Sequence, residues 1–161
     1  MEQYGFLCDC PACRLAGPAA ARDDASRRLV EQLDTSIERL LYDFPEDSGG
    51  GEAGGDIQLE DVPEPPVPIP GLEDLDSQAG DLRDVLTAVR LLFSKLHLMD
   101  CLGFKVVSQL GVVSTLLEVC EEWELRPAAR LAADTGLALS ARIHGREGGQ
   151  YAEWARRAGR A

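Results

Sequence analysis

Three of the chain's five cysteines crowd together as Cys8-Asp9-Cys10-Pro11-Ala12-Cys13, the pattern C-x-C-x-x-C. Zinc takes four tetrahedral ligands, and thiolates suit it well. Closely spaced cysteines on a turn can offer three sulfurs to one ion, and Pro11 helps to hold such a turn. Three thiolates leave one position to fill. Cys101 and Cys120 fall within apolar helical patterns, where a buried free cysteine is the ordinary outcome. His97 and His144 are chemically able donors, but spacing selects neither. On spacing alone the cluster reads either as metal ligands or as coincidental reduced thiols. An odd cysteine count with this crowding does not read as a disulfide framework.

No other pattern in the chain assembles a reaction. Gly49-Gly50-Gly51 lacks the lysine and the preceding strand that a phosphate-cradling loop needs. Glu121-Glu122 reads as a solvated helix face. His97, between Leu96 and Leu98-Met99, reads as a core or boundary histidine. Trp123 and Trp154, at helical spacing, read as core residues before partner anchors. Arg142, Arg146, Arg156, Arg157 and Arg160 give the C-terminal end a modest positive patch. Against a net charge of −12 and a pI of about 4.5, a phosphate backbone would be repelled, which argues against a nucleic-acid partner.

The elements that must carry these residues are helical. Over 19–44, the residues Leu29, Val30, Leu33, Ile37, Leu40, Leu41 and Phe44 keep the three-and-four spacing of one amphipathic face, with Asp23 and Asp24 suited to the helix start and Pro45 to its end. Region 45–76 is different: Gly-rich at first, then Pro63, Pro65, Pro66, Pro68 and Pro70. From Asp43 to Asp84 there are thirteen acidic residues and one basic. This composition predicts a long disordered acidic loop with extended, polyproline-like stretches, read first as a solvated spacer and second as a specific acidic docking segment.

Helical periodicity returns over 77–158. Leu82 to Leu96 predict a second helix ending near Gly103. Val106 to Cys120 predict a third, and Ala128 to Ile143 an alanine-rich fourth that starts at Pro127 and closes at His144-Gly145. Gln150 to Arg157 predict a short last helix carrying Tyr151 and Trp154. Short connections of this kind join antiparallel helical hairpins. The third and fourth helices together span about one tetratricopeptide unit, with Ala128, Ala129 and Ala132 where neighbours would approach; the strict consensus is absent. With few aromatics, the core is expected to be built mainly of Leu, Val and Ala.

The string Tyr4-Gly5-Phe6-Leu7-Cys8-Asp9-Cys10-Pro11-Ala12-Cys13 closely resembles the post-SET segment that follows the catalytic core in SET-domain protein lysine methyltransferases. The form Y-x-F-x-C-x-C-x-x-C looks most like the SET-and-MYND branch and related fungal SET proteins. Those proteins continue into an all-helical C-terminal region with tetratricopeptide-like hairpins, a layout similar to the helices expected here after residue 18. The resemblance implies that Cys8, Cys10 and Cys13 are three zinc ligands. It implies that Phe6 walls the adenine side of an S-adenosylmethionine pocket, and that Tyr4 is a packing aromatic. The family's fourth zinc ligand is a cysteine beside an Asn-His motif of the SET core, and its catalytic tyrosine lies upstream as well. Neither has a counterpart in this sequence.

The expectations are therefore these. The fold is mainly α: a cysteine-bearing segment at 1–18, an amphipathic helix at 19–44, an acidic Pro/Gly-rich linker at 45–76 and a repeat-like, tetratricopeptide-like helical bundle at 77–158. The function is that of an N-terminally truncated piece of a SET-domain lysine methyltransferase, with no catalytic residue of its own and inactive alone. The alternative is a non-catalytic helical protein–protein interaction module. Zinc in an incomplete site and the parent family's S-adenosylmethionine are the implied cofactors, and a protein substrate or partner is the implied ligand. No apolar run reaches the roughly 20 residues of a bilayer span, and the start lacks the parts of a signal peptide, so an intracellular protein is expected.

Overall fold

Among the residues described by the computed structural model (17–42, 62–65, 68–70, 72 and 80–159) there are five helices and no strand. They are α1 (Pro18–Tyr42), α2 (Asp81–Cys101), α3 (Val106–Glu122), α4 (Arg126–His144) and α5 (Gly149–Ala158). The mainly α expectation holds. Each helix packs chiefly on its neighbour in sequence, α1 on α2, α2 on α3, α3 on α4 and α4 on α5.

α1 begins at Pro18, where a fixed φ and a missing N–H cost nothing. That start lies earlier than the sequence suggested. Asp23 is consequently inside the helix, not at its cap, and accepts a hydrogen bond from Arg27 Nε one turn on, at 2.7 Å. Arg27 also donates to the carbonyl of Leu102 at 3.3 Å and lies over the Phe104 ring at 5.4 Å, fastening α1 to the α2–α3 turn. Farther along, Val30, Leu33 and Ile37 bury one stripe of α1.

The central element is α2. It buries residues on nearly all sides, among them Val85, Val89, Leu92, Leu96 and Met99, because α1 covers one flank and α3 another. A helix so enclosed must be apolar around most of its circumference. Ser94 and Lys95 are the exceptions, and the ammonium of Lys95, a residue at 7% exposure, is held by Asp34 of α1.

Two turns of one design set the hairpins. After α2, Gly103 has φ 67° and its N–H donates to Asp100, while the Phe104 N–H donates to Met99. After α3 the Glu124 N–H donates to Glu121 and the Leu125 N–H to Cys120. Both are Schellman motifs, in which a left-handed residue satisfies the last carbonyls. In the second, that residue is Glu124, at φ 55°, where a Cβ is unfavourable. Pro127 stands in the first turn of α4, as the sequence suggested.

Close approach of α3 and α4 is made possible by Ala128, Ala129, Ala132 and Ala133, each buried. α5 is held on α4 by Trp154, whose indole lies flat against the bare backbone of Gly136. Arg157 covers the ring at 5.6 Å.

Within the acidic Pro/Gly-rich region the described residues are not a solvated spacer. Val62 and Ile69 are buried, at 8% and 7%, and belong to the same apolar cluster as the helices. Leu72 packs beside that cluster and donates its N–H to Ile69 at 3.2 Å. Glu64 pairs with Arg90 of α2 at 2.7 Å. Composition misleads here because three apolar side chains, spaced among prolines that already restrict the backbone, suffice to dock a short segment. The remainder of the region lies outside the described residues.

Candidate functional site

The residues singled out by the sequence, Phe6, Cys8, Cys10 and Cys13, together with Tyr4, lie outside the described residues. As a donor set, three thiolates supply three of zinc's four positions. Among the described residues no three His, Cys, Asp or Glu side chains group so as to hold a metal ion.

The remaining candidates separate clearly. Cys120 is fully buried, and burial, with a smaller contribution from Glu121, pushes its thiol up to about 12. It is an inert core residue. Cys101 is exposed, against the expectation of burial: at the last position of α2 it stands beside exposed Asp100, off the buried stripe of Leu92, Leu96 and Met99. Its Sγ lies 3.8 Å from His97 Nδ1 and 3.7 Å from Nε2. A sulfur nearly equidistant from both nitrogens sits off both in-plane lone-pair directions. The pair therefore lacks the aligned hydrogen bond by which a base activates a thiol. His97 itself is half-buried, a boundary residue as the sequence suggested, and Glu121 and Glu122 are exposed. Trp154 is core, whereas Trp123 is 39% exposed: it caps α3 at a turn, outside the packed stripe.

What the fold does build is a cleft of about 290 Å³ between α2 and α4. On α2, Phe93, Leu96, His97 and Asp100 recur at three- and four-residue spacing and share one face. On α4 the lining recurs in the same way through Leu131, Thr135, Leu139 and Arg142. Gln109 of α3 closes the space between them; it is 2% exposed and donates its amide to the Phe104 carbonyl at 3.1 Å. Its lining is predominantly apolar. Charge is confined to the exposed mouth, where Arg142 faces Asp100 at 3.6 Å. Pro65, from the segment docked on α2, forms part of the same wall.

Such a cleft is suited to holding apolar side chains, with a few polar groups to orient them. It contains no nucleophile with an aligned base. Sequence reasoning missed the cleft, since its lining comes from elements far apart in the chain. The one signal available was the shared helical spacing of Phe93, His97 and Asp100. Comparison with known proteins finds no matching family model, no matching curated protein and no matching solved structure. Among the described residues, no helix is long and apolar enough to cross a membrane.

Proposed function

We propose that this chain carries the post-SET segment and the helical C-terminal part of a SET-domain protein lysine methyltransferase, and that its helical part binds protein. The observation that carries the first half is the string Tyr4 to Cys13, whose two aromatics and three cysteines share the post-SET order and spacing. On this reading Cys8, Cys10 and Cys13 would hold zinc with one ligand from the SET core, and Phe6 would wall the adenine of S-adenosylmethionine. Zinc in such a site would hold the segment's fold together. Methyl transfer itself depends on aligning the lysine amine with the methyl sulfonium, and no residue of 1–161 is assigned that task.

The second half, a non-catalytic interaction module of tetratricopeptide-like hairpins, draws its support from the α2/α4 cleft. Helical hairpins joined by short turns, with an apolar cleft between non-adjacent helices, suit recognition of a peptide or protein. The strongly acidic charge weighs against a nucleic-acid partner.

Sequencing the 5′ end of the transcript tests the methyltransferase reading. A frame continuing upstream of Met1 into an Asn-His-x-Cys motif and a tyrosine is expected. A frame that opens at Met1 would leave the interaction module as the sole function. Zinc content gives an independent check. The purified chain should lose zinc to a weak chelator, whereas tight binding of one ion through Cys8, Cys10, Cys13 and a ligand of its own would refute the shared-site reading.

A further inference from the structure

We infer that the exposed side of α2 and the α2/α4 cleft form a groove for extended, proline-rich, acidic peptides, and that the chain's own residues 62–65 and 68–70 occupy it in cis. The inference rests on the interaction-module reading and names its ligand chemistry.

The docked segment shows what this surface accepts. Val62 and Pro65 are one polyproline turn apart; the first is buried in the apolar cluster and the second lines the cleft. Glu64, between them, meets Arg90 at 2.7 Å. Ile69 provides a second buried anchor. A proline in the cleft wall, an acid paired with Arg90 and an apolar residue sunk in the adjoining core constitute a recognition pattern. Proline-rich chains suit this mode because little backbone entropy remains to be lost.

The segment is also held lightly enough to be displaced. Its described anchors are the buried Val62 and Ile69, the flanking Leu72 that packs beside the core, and one ion pair whose partners are 44% and 80% exposed, so the pair contributes little. Pro63, Pro68 and Pro70 face solvent. Pro65 lines the cleft without filling it, leaving about 290 Å³ among Phe93, Leu96, Leu131 and Leu139 for a bulkier side chain. Tethering makes up for weak contacts, since a linked segment competes at an effective concentration on the order of millimolar. A peptide of the same chemistry on a partner protein would exchange with it.

The test uses the full chain and a fluorescein-labelled peptide of the sequence Val62 to Pro70, followed by anisotropy. In a Val62→Ser/Ile69→Ser variant, shown to be folded by far-UV circular dichroism, the peptide should bind at least tenfold more tightly than to the wild-type chain. Ala138→Arg, at an exposed position lining the cleft, should weaken that binding at least tenfold in the same background. Arg90→Glu, which puts no core contact at risk, should reverse the preference toward a peptide carrying Glu64→Lys. Equal binding by wild type and the double variant, or indifference to Ala138→Arg, overturns the inference. Should the double variant fail to fold, Ile69→Ser alone takes its place: it should still bind the peptide more tightly than the wild-type chain, and equal binding overturns the inference. A parallel panel of basic and helical peptides separates the two levels of failure. If one of them binds and is lost with Ala138→Arg, the cis-ligand inference falls and the interaction module stands. If no peptide binds, both fall.

Discussion

Replacing Gly136 with alanine should destabilise the protein in its native background and stabilise it once Trp154 is gone. A Cβ at Gly136 would fall within 3.0 Å of three indole atoms of Trp154, with 2.7 Å to Cδ2. The ring has little freedom to yield, being 7% exposed and covered by Arg157. Overpacking of this kind costs about 1–3 kcal/mol. Alanine in a helix interior gains about 1 kcal/mol over glycine. The rigid ring places the clash toward the upper end, so Gly136→Ala should lose a net of about 1–2 kcal/mol, and the melting temperature should fall by about 2–8 °C for a chain of this size. Trp154→Ala alone should cost about 3–5 kcal/mol. In the Trp154→Ala background the clash disappears and only the propensity gain remains, so Gly136→Ala should then stabilise by about 1 kcal/mol. The coupling between the two positions is the difference, about 2–3 kcal/mol. Urea unfolding of the four proteins, followed at 222 nm, measures it. If Gly136→Ala stabilises equally in both backgrounds, α5 does not pack on α4 through this contact.

Four further outcomes are expected. Glu124→Gly should raise stability by about 1 kcal/mol in the same unfolding assay, because an exposed residue at φ 55° would lose its left-handed penalty. Ser140→Ala should be neutral or mildly stabilising, since the buried Ser140 hydroxyl has no hydrogen-bond partner among the described residues and its removal leaves nothing unsatisfied; a loss above about 1 kcal/mol would reveal a partner. Asp34→Ala should cost about 1–3 kcal/mol by stranding the nearly buried Lys95 ammonium, while Lys95→Met should cost less, a contrast thermal melts can resolve. Cys120 has its thiol raised in the folded state from 9.0 to about 12, so the folded protein holds this proton more tightly than the unfolded chain. Its contribution is fully present below pH 9 and is lost as pH rises toward 12, at up to about 1.4 kcal/mol per pH unit; Cys120→Ala should flatten that alkaline decline.

Much of the architecture is legible in local pattern. Val30, Leu33 and Ile37 on α1 announce a buried stripe because a helix with one neighbour must bury every third or fourth residue, and Val85, Val89, Leu92 and Leu96 mark such a stripe on α2, which its second neighbour covers further. Pro127 and Gly145 mark the ends of α4 because proline and glycine act through their own backbone restrictions, which need no partner. The turn at Gly103 is legible for the same reason, while its counterpart at Glu124 is not, since nothing about glutamate signals a left-handed residue.

What the tertiary structure alone decided depends on contacts between distant residues. The Pro-rich segment reads as solvated spacer by composition, yet Val62, Glu64 and Ile69 find α2 and its surrounding core some twenty to thirty positions along the chain. Cys101 and Cys120 look alike in sequence, and only the side of its helix on which each falls exposes the first, beside Asp100, and buries the second, beside Val119. Trp154 needs Gly136, and the cleft needs α2, α3 and α4 at once; neither has a local signature, because each is a property of surfaces that meet only on folding. The cysteine string at 8–13 is the opposite case: residue type and short spacing make it a visible motif before any fold is known, and on those grounds it reads as metal ligands or as reduced thiols.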